Sequence, residues 1–272
     1  MPRQHDTEIP RISAPTLADA LARVRREHAH ERVLRLDLDG RRVWMKQSEH
    51  HETLRKRISK GDGTAALSRE AATLRELAAR GIAVPEVIAS TDEHLLLSDS
   101  GRTVNDMMFR PDYRVADGVA ACRAAGRAVA QLHLAGLAMG RGKAKDHCWD
   151  GERIIFIDLE VPPEPFDARR NGRRGLINFV FDLHFIACRL RRDAHSEAQA
   201  FLQGYAEADR PETRAAIEAA RIWARRRGWL GALALPLSFL RPPGRSPDLM
   251  ATVRTLVMLA EIDATIGTTP DT

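Results

Sequence analysis

From residue 33 the chain alternates apolar and polar positions, Val33-Leu34-Arg35-Leu36-Asp37-Leu38, breaks at Asp39-Gly40, and resumes as Arg41-Arg42-Val43-Trp44-Met45-Lys46. A period of two on either side of an Asp-Gly pair predicts a β-hairpin. Ahead of it, an irregular lead-in gives way to a helical pattern over residues 16–26. Behind it, residues 47–64 are polar, and Gly61-Asp62-Gly63 reads as a loop. Ser68 is a good N-cap, and Ala71, Leu74, Leu77 and Ala78 recur at helical spacing up to Arg80. Gly81 then ends the helix, with Pro85 shortly beyond. Strands are expected at 86–89 and 94–97. After the polar crossover Ser98-Asp99-Ser100-Gly101 the pattern is helical, at 113–134, 176–191, 196–208, 211–227 and 247–262. One apolar strand interrupts it at 153–157 and ends in Asp158.

A block of strands followed by a block of helices means α+β rather than a doubly wound sheet. Two lobes are expected, a strand-rich one over residues 1–98 and a helical one over 99–272. Composition narrows the class. With 272 residues, 44% hydrophobic and 29% charged, the chain has apolar material for a sizeable core, and global disorder is excluded. Cys122, Cys148 and Cys188 form no C-x-x-C pair, which excludes a disulfide framework and a cysteine zinc site and points to a reducing compartment. The N-terminal residues carry no apolar signal-peptide core, and no run reaches the roughly 18 apolar residues of a spanning helix. The expectation is a cytoplasmic protein.

Lys and Arg total 42 against 37 acids, a formal charge of +5. Arginine dominates the basic side, which favours forked recognition of phosphate or carboxylate and so an anionic substrate. Aromatics make up only 5%, which argues against a base-stacking nucleic-acid module; no nucleic acid is expected. Residues 229–240 carry no charge and are flanked by Arg225-Arg226-Arg227 and Arg241. Twelve residues cannot span a bilayer, so the segment is a core helix or an interfacial anchor, which leaves peripheral contact at the inner face of a membrane open.

Chemistry concentrates at a few positions. Lys46 closes the strand Val-Trp-Met-Lys. Glu70 lies in the next helix, where its carboxylate can reach back to that lysine. Asp158 ends an apolar strand, a rigid way to present a metal ligand. The passage Ser68-Arg69-Glu70-Ala71-Ala72-Thr73-Leu74-Arg75-Glu76-Leu77 leads to Gly81-Ile82-Ala83-Val84-Pro85-Glu86-Val87. In this order the features resemble the protein-kinase-like fold. They are similar to its compact atypical members: RIO-type and KEOPS-type kinases, aminoglycoside phosphotransferases and lipopolysaccharide-core sugar kinases. The resemblance covers roughly residues 33–190. It implies that Lys46 grips nucleotide phosphates, that Glu70 orients Lys46, that the stretch containing Ser98 and Ser100 is the nucleotide-binding hinge, and that Asp158 holds Mg²⁺.

The catalytic loop departs from the family. Where an aspartate and, five residues on, an asparagine are usual, one alignment finds Arg141 and Asp146. Asp146 suits a metal ligand; Arg141 cannot act as a base, though it can stabilise γ-phosphate charge. The other alignment makes Asp146 itself the catalytic aspartate and puts Gly151 at the asparagine position. No G-x-G-x-x-G precedes Lys46. Four arginines in Arg169-Arg170-Asn171-Gly172-Arg173-Arg174 form either a phosphate clamp or a solvated loop. Asp182 resembles a structural anchor of the catalytic loop, and His133, His147 and His184 read as structural. The resemblance therefore implies ATP- and Mg²⁺-dependent phosphoryl transfer to a small-molecule or glycan acceptor, with lipopolysaccharide-core sugars preferred. The alternative it leaves is a pseudokinase that binds nucleotide or a partner without turnover.

Overall fold

A computed structural model describes residues 11–12, 17–48, 63–108, 110–139, 144–166 and 195–218. The chain is α+β and divides into two compact units. Met1–Ser100 with Asp158–Pro162 form the first, and Gly101–Ile157 with Pro163–Thr272 form the second. The expected boundary lay at residue 98; here Asp99, Ser100 and the Asp158–Pro162 segment join the strand-rich unit.

The first unit is built on a five-stranded sheet of order β1-β2-β3-β5-β4. Its elements are β1 (Arg11–Ile12), α1 (Leu17–Glu27), β2 (Val33–Leu38), β3 (Arg41–Gln47), α2 (Gly63–Ala79), β4 (Val87–Ser90) and β5 (His94–Ser98). The β2–β3 hairpin forms as the pattern dictates. Asp39 and Gly40 both take positive φ, 51° and 79°, as a two-residue turn matched to strand twist requires. The Asp37 carboxylate accepts the Gly40 N–H at 2.7 Å. All neighbouring strands are antiparallel except β1 and β2, which run parallel with α1 between them.

Alternation then sorts the side chains. Leu34, Leu36, Val43 and Met45 join Leu96 of β5 and Leu21 and Val24 of α1 in one core cluster. Trp44 and Lys46 point to the opposite face, paired in register with Leu97 and Leu95. Helix α2 packs against β4 and β5 and buries Leu67, Ala71, Leu74 and Leu77. It begins at Gly63, so Ser68 is an exposed interior residue and not the expected N-cap. The physical reason is Leu67, whose burial one turn ahead of Ala71 extends the apolar stripe backwards. The other end is as read. Gly81, at φ 76°, donates to the Ala78 carbonyl and Ile82 to the Leu77 carbonyl, both at 3.0 Å, a Schellman closure.

The second unit contains β6 (Arg102–Thr103), α3 (Val104–Met108), α4 (Val115–Leu134), β7 (Leu137–Ala138), a 3₁₀ turn (Ala144–Asp146), β8 (His147–Trp149), β9 (Ile154–Phe156), β10 (Glu164–Pro165) and α5 (His195–Ala206). Residues 211–218 are also helical. Among the described residues, helices α4 and α5 form its main packing, and glycines let them approach. A Cβ on Gly126 would fall inside contact distance of the Phe201 carbonyl, and one on Gly204 inside that of the Arg123 carbonyl. The expectation of a single strand here is corrected. Among the described residues, four strands of two or three residues are present besides β9, in the sheets β6-β8-β9 and β7-β10. They are too short to show a period. Arg141, the 169–174 loop, Asp182, His184, Cys188, the helices expected at 176–191 and 247–262, and the 229–240 segment lie outside the described residues.

Candidate functional site

Lys46 occupies the central strand β3, between Val33 of β2 and Leu95 of β5. Its Nζ donates to Glu70 Oε1 at 2.6 Å and lies 3.5 Å from Asp158 Oδ1. The lysine side chain is 13% exposed, that of Glu70 is fully buried, and that of Asp158 is 42% exposed. Glu70 sits in the middle of α2 beside the apolar residues Leu67, Ala71 and Leu74. A carboxylate there is costly to bury unless a cation meets it, and Lys46 does so. Its second oxygen, Oε2, is buried without a hydrogen-bond partner. The site therefore holds one ammonium against two carboxylates.

Asp158 departs from ordinary backbone geometry, with φ at 61°. The left-handed region is uncommon for a residue with a side chain, though aspartate tolerates it better than most. Two residues on, the Glu160 carboxylate forms an ion pair with Arg32. Leu159 between them is 1% exposed.

The other residues singled out in the sequence take varied positions. The Ser98 hydroxyl accepts the Glu86 N–H at 2.9 Å, and the Ser98 N–H donates to the Glu86 carbonyl at 3.0 Å, which ties β5 to the start of β4. Ser100 is buried. Between them Asp99 accepts the indole N–H of Trp44 at 2.9 Å. Asp146 belongs to the second unit, where it ends the 3₁₀ turn and leads directly into β8. Its residue is 9% exposed, and Lys145 Nζ lies 3.4 Å from its Oδ1. Its carbonyl accepts the Ile157 N–H at 2.9 Å and closes the β8–β9 hairpin. Gly151 turns that hairpin at φ 109°.

Sequence reasoning missed Trp44, Arg32 and Glu160, and it placed Asp99 in the hinge stretch without singling it out. Trp44 carried a usable signal, since it shares the parity of Lys46 along β3 and hence its face. Arg32 carried none.

The His133–Tyr205 pair and Cys122 are structural. His133 Nδ1 lies 2.7 Å from the Tyr205 hydroxyl, and its ring stacks on Phe166 with centroids 4.0 Å apart. Burial pushes the imidazole down to about 3 and the Tyr205 phenol up, so both are neutral at physiological pH. The Cys122 thiol is completely buried and pushed up by desolvation, with the nearby Glu197 carboxylate adding to it. It is therefore inert as a nucleophile.

Among the described residues no group of three or more His, Cys, Asp and Glu side chains could hold a metal, and no helix is long and apolar enough to cross a membrane. The donor set at Lys46 nevertheless suits Mg²⁺. That ion is held through one or two carboxylates together with substrate phosphates, rather than in an all-protein cage. Asp158 offers a part-exposed carboxylate, and the excess of negative charge at the triad favours a cation.

No protein-family model matches the chain. An uncharacterized protein of Haemophilus influenzae is 25% identical over 167 residues. The match takes in 61% of this chain and 66% of that protein, just under two thirds of its length. Among solved structures, the apoenzyme of the macrolide 2′-phosphotransferase MphH from Brachybacterium faecium is similar over 88% of this chain and 98% of its own. The sequence identity is 16% and the TM-score 0.43.

Proposed function

We propose that the chain is an ATP- and Mg²⁺-dependent phosphotransferase of the protein-kinase-like class, acting on a small-molecule or glycan acceptor. The observation that carries this reading is the buried ion pair of Lys46 with Glu70, 2.6 Å apart, with the Asp158 carboxylate on the same ammonium. Such an arrangement fixes a lysine where a flexible one would wander, and a fixed ammonium is what phosphate oxygens need. In the proposed reaction Lys46 binds the donor phosphates and Glu70 holds its direction through Oε1. Asp158 would hold Mg²⁺, which would supply neutralising charge to the donor phosphates. Asp146 lies 12 residues before Asp158 in the chain. Its place directly before β8 fits the alignment in which it stands for the usual asparagine, and Gly151 in the hairpin turn offers the rival alignment no side chain. Arg141, always protonated, supplies charge and not a base. The arginine-rich sequence at 169–174 suits an acceptor already carrying phosphate, such as a lipopolysaccharide-core sugar.

A second reading, a pseudokinase, is favoured by Arg141 at the usual aspartate position and by the missing glycine-rich loop. The experiment begins with ATP and Mg²⁺ against the melting temperature of wild type, Lys46→Met and Asp158→Ala. Wild type is expected to shift by mass action, Lys46→Met to lose the shift, and Asp158→Ala to lose its metal-dependent part. No shift in wild type at millimolar nucleotide removes the reading. Transfer of the γ-phosphoryl group to phosphorylated core sugars then separates enzyme from pseudokinase. Asp146→Asn is expected to keep most turnover if it is a metal ligand, and to lose on the order of 10²–10⁴-fold if it is a base.

A further inference from the structure

We infer that Arg32 and Glu160 form a positioning pair that docks the Asp158 segment onto the sheet and so sets how strongly Asp158 takes a divalent cation. The inference rests on the phosphoryl-transfer reading for the cation, and on geometry alone for the docking. The short segment Asp158–Pro162 keeps company with the first unit although its chain neighbours on both sides belong to the second. Two ion pairs flank a buried residue in it. Asp158 meets Lys46, Leu159 is 1% exposed, and Glu160 meets Arg32.

Arg32 is well placed to anchor. Its carbonyl accepts the Gln47 N–H at 2.8 Å, and the Gln47 side chain donates to the carbonyls of His28 and Glu31 at 3.0 and 2.8 Å. The guanidinium therefore grows from a junction where the end of α1, the start of β2 and the end of β3 are tied together. It stands beside the strand pair Val33–Lys46, so both cations of the clasp come from one corner of the sheet.

The need for such a clasp follows from the backbone of Asp158. A φ of 61° in a residue with a Cβ persists only where the surroundings over-determine it. When a cation draws on the Asp158 carboxylate, the hold from Lys46 weakens. The Arg32–Glu160 pair then keeps the aspartate in place. Both partners are partly exposed, at 41% and 31%, so the effect is modest. Exposed pairs of this kind change an equilibrium about two- to five-fold.

The test titrates Mg²⁺ against the melting temperature of the full chain at saturating ATP, with an EDTA arm for ATP alone. Variants are Glu160→Gln, Arg32→Gln, and the exchange Arg32→Glu with Glu160→Arg. Either single variant is expected to need about two- to five-fold more Mg²⁺ for the half-maximal shift, with the EDTA shift unchanged and the exchange restoring the wild-type midpoint. A wild-type midpoint in both single variants overturns the inference. So does an equal loss in the EDTA arm, which marks a merely structural pair. Should wild type show no nucleotide shift at all, the phosphoryl-transfer reading falls, and hydrogen exchange judges the clasp alone. The Leu159 and Glu160 amides must exchange faster in Glu160→Gln, and an unchanged rate overturns the clasp.

Discussion

In the first unit a lysine and a glutamate share a core as an ion pair; in the second a histidine and a tyrosine share one as neutral groups. Both constellations are short in distance, 2.6 Å for Lys46–Glu70 and 2.7 Å for His133–Tyr205. They differ in what is left over. The Glu70 side chain has a buried oxygen without a partner and its lysine also faces a part-exposed carboxylate, so that centre has capacity for a ligand. His133 is stacked on Phe166, pressed between aromatic rings and deprived of its charge by burial. On the proposed function, burial of a polar group marks chemistry when charge remains to be answered, and packing when desolvation has removed it.

The strongest way to break that comparison is Glu70→Ala. It leaves Lys46 largely buried with only Asp158 beside it, and should destabilise by about 3 kcal/mol. Glu70→Gln, keeping the shape, should cost less. Chemical denaturation measures both, and equal effects would mean that shape rather than charge holds the centre.

Gly204→Val attacks the second unit where it depends on packing. Its side chain collides with the Arg123 backbone and should cost about 2 kcal/mol or more, read as a fall in melting temperature. A nucleotide shift that survives in this variant would sharpen the contrast between the units.

The third prediction concerns acid. His133 has a folded value of about 3, below its ordinary 6.5. As pH falls the unfolded chain takes up this proton first, so the stability due to neutral burial is present above about 6.5 and lost on the way towards about 3. The slope is about 1.4 kcal/mol per pH unit, or about 2 kcal/mol by pH 5. His133→Gln should flatten the curve by one proton; an unaltered slope would show the imidazole to be solvated.

The smallest effect belongs to the exposed pair Arg80–Glu76, 2.6 Å apart, which joins the last turn of α2 to the residue just beyond it. Arg80→Gln should cost about 0.3 kcal/mol at low salt and less at high salt.

Legibility in the sequence followed the range of the interaction. The β2–β3 hairpin and the Gly81 helix stop are local, written in a few adjacent residues, and both were read to within a residue. The start of α2 was misplaced because Ser68 has the propensity of a cap while Leu67 is claimed by the core, and tertiary burial prevailed. The Lys46–Glu70 contact spans 24 residues and was reached through the order of motifs, with no periodicity to reveal it. Parity puts Trp44 on the Lys46 face but does not match it to Asp99, 55 residues on, and Arg32–Glu160 has no local signature, since complementary charges are plentiful in a chain with 42 basic and 37 acidic residues.

The place of Lys46 on a central strand makes the site a matter of odd and even. Val43 and Met45 lie under α1; Trp44 and Lys46 lie on the other side of the same strand. One residue inserted between Met45 and Lys46 would turn the ammonium into the apolar layer with Leu34 and Leu96 and abandon Glu70, although every side chain were still present. Two inserted residues would restore the side but carry the lysine about 7 Å along the strand. Length is therefore as tightly constrained as composition between Gly40 and Gln47, and alignments of related chains should tolerate substitution there far better than a gap.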